Sequence, residues 1–148
     1  ADPPLGRRGI GGSRDSGQGL NFGDYMSEAK DATSVVVQAE HIDAVENIEE
    51  ICGVEGVDAV LIGPYDLSAS MNKTGRLDDR EVRAAIDHVR NVCLQHGMRL
   101  GFFGATAEQV QPRTEEGFNL LCGGADVAVF AAAARNLLQA MKTKGNSA

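Results

Sequence analysis

No stretch of this sequence approaches the roughly 20 apolar residues of a membrane-spanning helix, and no charged-then-apolar leader opens it. A reducing cytoplasm is the expected compartment. Cysteine is sparse: Cys52, Cys93 and Cys122 are odd in number, widely spaced and free of any CxxC pattern. Neither a disulfide framework nor a structural zinc site is expected from them, and all three read as buried, inert thiols. Basic residues are also in deficit, with 14 Lys and Arg against 21 Asp and Glu and a net charge of -7. That balance favours solubility and argues against a nucleic-acid or anionic-membrane surface. A small anionic substrate would then need a local attractor, and a metal supplies one.

What is present is an ordinary globular composition, 43% apolar over 148 residues, the size of one domain. Residues 1–19 hold Gly6, Gly9, Gly11, Gly12, Gly17 and Gly19 around Arg7, Arg8 and Arg14 without apolar periodicity, and read as loop. No strand precedes them and no GKS/T follows, so they are not a phosphate cradle. Phe22, Tyr25, Met26 and Ala29 fall at helical spacing and predict a short helix over 22–30. We therefore expect a lead and short helix over 1–32 and a single partial domain over 33–148.

From there the chain alternates. Ser34–Ala39 reads as a strand buried on both faces, followed by a helix with Asp43 and Glu46 at capping-box spacing that ends near Gly53. Val57–Ile62 is a second strand, and a loop over Gly63–Arg76 leads to a helix announced by Asp78 and Glu81, with Val82, Ile86, Val89 and Cys93 as its buried stripe and Gly97 at its close. Arg99–Phe103 is a third strand. The helix after it has Thr106 and Gln109 at cap spacing and must start late or kink at Pro112. Asn119–Cys122 is a fourth strand ending in Gly123-Gly124, and Asp126–Met141 is an alanine-rich terminal helix. Four strand-helix units in a row mean an α/β fold with parallel pairing. A closed (β/α)₈ barrel takes about 250 residues, so four units are about half of one.

Two acids stand at corresponding places in this pattern. Glu40 closes the first strand and Asp66 follows the second through Gly63-Pro64-Tyr65, so in a parallel sheet both belong to the same C-terminal rim. Two oxygen donors there suit a hard cation such as Mg²⁺, which binds through one or two carboxylates plus waters and substrate oxygens. Each also has a plainer reading, Glu40 as a helix N-terminal acid and Asp66 as a cap or turn residue. His41, beside Glu40, reads as a solvated residue at a helix start.

The segments Gln38-Ala39-Glu40, Ala44 to Ile51, Gly53 to Asp58 and Ile62-Gly63-Pro64-Tyr65-Asp66-Leu67-Ser68-Ala69-Ser70-Met71 resemble the class II pyruvate aldolases of the HpcH/HpaI family, whose relatives include the citrate lyase β-subunit group. The similarity continues through Gly101–Gly104, Gly117-Phe118 and Gly124-Ala125-Asp126, and weakly back into residues 3–11. It implies the C-terminal half of a (β/α)₈ TIM barrel and a lyase that cleaves 4-hydroxy-2-oxo acids to pyruvate and an aldehyde with Mg²⁺, Mn²⁺ or Co²⁺. By the same resemblance Glu40 and Asp66 match the metal ligands. Gln38 matches a catalytic and substrate-binding polar group, Tyr65 and Asp66 the stretch that holds the pyruvate carboxylate, and Phe103 a wall residue. Members carry a catalytic His and an enolate-stabilising Arg on their first four strands, and neither His41, His88, His96 nor Arg7, Arg8, Arg14 matches them. Those gaps leave a non-catalytic binding remnant and a citryl- or malyl-thioester lyase as alternatives. They also imply a homo-oligomer or pairing with a missing N-terminal half.

Overall fold

The computed structural model describes Arg14 and residues 17–143. The chain divides into two units, Ala1–Ser34 and Val35–Ala148. In the first, a 3₁₀ turn over Gly17–Gly19 precedes helix α1, Phe22–Ala32, which runs two residues beyond the predicted end. Apart from Arg14, Gly17 and Gly19, the residues named in the Gly-rich lead lie outside the described residues.

The second unit holds four strands, β1 Val36–Ala39, β2 Ala59–Ile62, β3 Arg99–Gly104 and β4 Leu120–Gly123. They form one sheet in the order β1-β2-β3-β4, every pair parallel. Sequential neighbours pair because each connection carries a helix back to the strand start, as the strand-helix repeat requires. The half-barrel expectation therefore holds at the level of topology. The connecting helices are α2 Ile42–Glu46, α3 Ile48–Cys52, α4 Pro64–Ser70, α5 Arg80–Gln95 and α6 Ala107–Val110, and α7 Asp126–Thr143 follows the last strand.

Side chains alternate across a sheet, and one set of rows makes the core. Val37, Val60 and Leu100 share one row, and Ala39, Ile62, Phe102 and Leu121 another. Val60, Leu100, Ala39, Ile62 and Phe102 belong to the buried cluster with Val45 and Ile48 of α2 and α3 and with Val82, Ile86, Val89 and Cys93 of α5, and the partly buried Val37 and Leu121 pack against it. The α5 stripe is thus buried as predicted from its spacing. On the other face Gly101 makes the close contact: a Cβ there would sit 2.7 Å from Leu61 Cδ1 and 3.1 Å from the Leu120 carbonyl oxygen.

Several local expectations change. β1 is not buried on both faces, since Val36 and Gln38 are exposed while Ala39 is buried. It is an edge strand of the sheet, and the buried cluster lies on one side of it. Helix α2 is capped by His41, whose Nδ1 accepts the Asp43 N–H at 3.2 Å, in place of the predicted Asp43–Glu46 box. The expected loop over Gly63–Arg76 contains α4, with Pro64 in its first turn, where a missing N–H costs nothing. The cap of α5 is Asp79 rather than Asp78; its Oδ1 accepts the Glu81 N–H at 2.9 Å. The helix after β3 does not start late: α6 begins at Ala107 and stops at Val110, before Pro112, and a 3₁₀ turn over Gln111–Thr114 carries the chain on.

Helix α7 forms as predicted, yet Val127, Val129, Phe130, Leu137, Leu138 and Met141 are all more than half exposed. No described helix is long and apolar enough to cross a membrane. The contrast between core and α7 predicts opposite costs for one chemical change. Leu100→Ala should destabilise by roughly 2–5 kcal/mol, and Leu138→Ala should stay within about 0.5 kcal/mol. Urea unfolding of the two variants beside the parent checks this; equal losses would place the core wrongly.

Candidate functional site

Parallel register decides what meets at the rim. Ala39 pairs with Ile62, so the next residues, Glu40 and Gly63, emerge side by side, and the Gly63 N–H donates to the Ala39 carbonyl at 3.3 Å. A Cβ on Gly63 would lie 3.0 Å from Glu40 Oε2, 3.1 Å from Glu40 Cβ and 3.9 Å from Gln38 Nε2. The absence of a side chain at Gly63 leaves room for the half-buried Glu40 side chain at the end of β2, with the Gln38 amide also near that point. Ile62 pairs in turn with Phe102 and Phe103 with Cys122, which sets half-buried Phe103 next along the same rim.

Asp66 stands in the first turn of α4, exposed, three residues past Gly63. The structure therefore puts Glu40 and Asp66 at the C-terminal ends of adjacent strands, as their spacing predicts. Two serines fix the turn that bears Asp66. Ser68, fully buried, donates to the Tyr65 carbonyl at 2.6 Å and accepts the Gly75 N–H at 2.9 Å. Ser70 donates to the Leu67 carbonyl at 2.7 Å and accepts the Ile42 N–H at 3.1 Å, tying α4 to the start of α2 just beyond Glu40. Neither serine was singled out for this from the sequence. The only available signal was their polar character within an apolar Leu-Ser-Ala-Ser run.

Tyr65 is 57% exposed. Its ring lies beside Gly75, whose φ is +75°; a Cβ there would sit 3.4 Å from the ring, so a glycine suits both the backbone and the contact. That loop is anchored at its far side by Lys73, which donates to Asp79 Oδ1 at 2.8 Å and pairs with Glu81 at 3.3 Å. The hydrogen bond from Lys73, aided by the Glu81 N–H, holds the Asp79 carboxyl below its usual range, and the same bond raises Lys73.

Of the three histidines, His41 spends Nδ1 on its cap, and His88 and His96 are exposed on and after α5. Among the described residues no group of three or more His, Cys, Asp or Glu side chains is arranged to hold a metal. A separate cleft of about 170 Å³, lined by Arg83, Ile86, Asp87, Arg90, Arg113 and Glu116, includes none of the candidate residues. Its Arg113 stacks 4.5 Å over the Phe102 ring and pairs with Glu116 at 2.7 Å, which is a packing role.

The Ser68 hydroxyl predicts a local defect. Ser68→Ala leaves the Gly75 N–H without its acceptor and should cost about 1–3 kcal/mol, with faster amide exchange at Gly75. Unchanged exchange at that amide would mean the loop is held by other contacts.

Comparison with known proteins places the chain. The model of the HpcH/HpaI aldolase/citrate lyase family matches residues 3–133. The chain is 35% identical over 147 residues to a hydroxypyruvate/pyruvate aldolase of Cupriavidus necator, covering 99% of the chain and 55% of that protein. It is 34% identical to a 5-keto-4-deoxy-D-glucarate aldolase of Klebsiella pneumoniae, covering 95% and 55%. Among solved structures, a HpcH/HpaI aldolase/citrate lyase family protein of Burkholderia cenocepacia superposes with a TM-score of 0.80 at 31% identity, over 95% of this chain and 56% of that one. The chain thus spans about half the length of the relatives it matches.

Proposed function

The chain belongs to the HpcH/HpaI aldolase/citrate lyase family, and on that premise we propose that it carries the metal and pyruvate half of an aldolase site. The reaction is the reversible cleavage of a 4-hydroxy-2-oxo acid to pyruvate and an aldehyde. The observation that supports this most is the closeness of Glu40 and Gln38 to Gly63, three residues before Asp66 in the first turn of α4.

The donor set fits a hard divalent cation. Glu40 and Asp66 offer carboxylate oxygens from adjacent strand ends, and two protein ligands leave positions for water and substrate, as Mg²⁺ or Mn²⁺ prefers. When bound, such an ion polarises a 2-oxo group and stabilises negative charge developing on its oxygen. Gln38, two residues before Glu40 on the same face, can donate its amide N–H to a substrate oxygen. The main chain at Tyr65 and Asp66 takes the pyruvate carboxylate, and Phe103 walls the site. Ser68 and Ser70 keep this frame in place.

Proton transfer typically contributes 10²- to 10⁴-fold and needs a positioned acid or base. His41 uses Nδ1 in a helix cap, and His88 and His96 are exposed on and after α5, so no histidine of this chain is assigned that role. The isolated chain should therefore bind Mn²⁺ weakly and release pyruvate from a 4-hydroxy-2-oxo acid slowly or not at all. Titration calorimetry with Mn²⁺ on the parent, Glu40→Gln and Asp66→Asn should show at least a tenfold loss in each variant. Metal binding indifferent to both substitutions would remove the site. Turnover only with a CoA thioester would move the reaction to thioester cleavage.

A further inference from the structure

Two of the three thiols meet. Cys52 at the C-terminal end of α3 and Cys93 within α5 lie with their sulfurs 3.7 Å apart, although 41 positions separate them in the chain. Cys93 is fully buried and Cys52 is partly open to solvent. The expectation of three separate inert thiols took no account of this contact, because nothing in the spacing of the cysteines signals which helices pack together. It arises where α3, on the return from β1, packs against α5, on the return from β2.

We propose that Cys52 and Cys93 form a peroxide-oxidisable thiol pair that closes into an intramolecular disulfide within the folded chain. The accessible member reacts first: the Cys52 thiolate attacks one peroxide oxygen, the O–O bond breaks, and Cys52 becomes a sulfenic acid with release of hydroxide. The Cys93 sulfur then attacks the Cys52 sulfur, the S–O bond breaks, and water leaves with the Cys93 proton. Overall two thiols lose two electrons and one hydrogen peroxide is reduced to two waters. The sulfurs need to approach by only about 1.7 Å to reach bonding distance, a shift within reach of side-chain rotation at a helix end.

Burial, and then the neighbouring Cys52 sulfur, push the Cys93 thiol up to about 12. Cys93 therefore stays protonated at neutral pH and reacts only through a partner already beside it, which makes Cys52 the sensing thiol and Cys93 the resolving one. The product would staple the return helix of the unit carrying Glu40 to the return helix that follows Asp66. It would close a loop of 41 residues and restrict the unfolded chain accordingly.

The test is treatment of the native chain with hydrogen peroxide, followed by intact mass and non-reducing peptide mapping. The expected result is a loss of 2 Da, one cross-linked peptide pair containing Cys52 and Cys93, and a thermal midpoint raised by at least about 5 °C, all reversed by dithiothreitol. Cys122→Ser should leave the bridge intact, and Cys52→Ser should abolish it. Cys93→Ala should abolish it too; because that change touches the core, Cys52→Ser carries the decision if Cys93→Ala fails to fold. Sulfinic or sulfonic acid at Cys52 without a bridge, a bridge to Cys122, a bridge between two chains, or two thiols that resist peroxide would each overturn the proposal.

Discussion

The pairing of β1 with β2 in parallel register is the constraint on which the rest depends. Because Ala39 faces Ile62, the residues that leave the two strands do so together, and Glu40 comes to lie against Gly63 with nothing between them. A slip of one residue would turn Gln38 and Glu40 toward the buried helix-facing side, where Ala39 and Val37 now pack, and leave the apolar residues exposed. The same register fixes which face is core and which face is site. Packing and chemistry are therefore specified by one set of main-chain hydrogen bonds.

That register is held from both ends. At the start of the strands the Val35 N–H donates to Asp58 Oδ2 at 2.7 Å, and the Asp58 N–H donates to the Val35 carbonyl at 2.9 Å. At the rim Ser70 joins α4 to α2, and Ser68 joins α4 to the loop at Gly75. Between them the helix-facing rows of aliphatic residues close against α2, α3 and α5. The residues that bear the proposed chemistry are the less buried ones, Gln38, Glu40, Tyr65 and Asp66. Positioning is thus done by buried groups and chemistry by exposed ones, which is the usual division between scaffold and site.

Much of the fold was legible because its signals are periodic. Four apolar runs, each followed by helical spacing, give four parallel strands, and the stripe Val82, Ile86, Val89 and Cys93 marks the buried face of α5. The placement of Glu40 and Asp66 at one rim was legible for the same reason, since topology alone carries strand ends to one side. What escaped depended on contacts distant in sequence or on competition between neighbouring caps. Gly63-Pro64 reads as turn chemistry whether or not a helix follows, so α4 was hidden. Asp78 and Asp79 are equivalent cap candidates by type, and only the N–H of Glu81 chooses the second. His41 displaces Asp43 as a cap because its ring nitrogen reaches the Asp43 N–H from two residues before the expected box. The exposure of Val36 follows from its place on an edge strand, which the apolar run could not reveal.

The proposed site requires Glu40 and Asp66 to share one ion at the rim made by β1 and β2. Anomalous diffraction from crystals grown with Mn²⁺ tests this directly. The account predicts a single manganese peak bounded by the two carboxylates, with Gln38 beside it and water completing its shell. A peak held by other residues, or carboxylates of Glu40 and Asp66 directed away from each other with no metal between them, would contradict it.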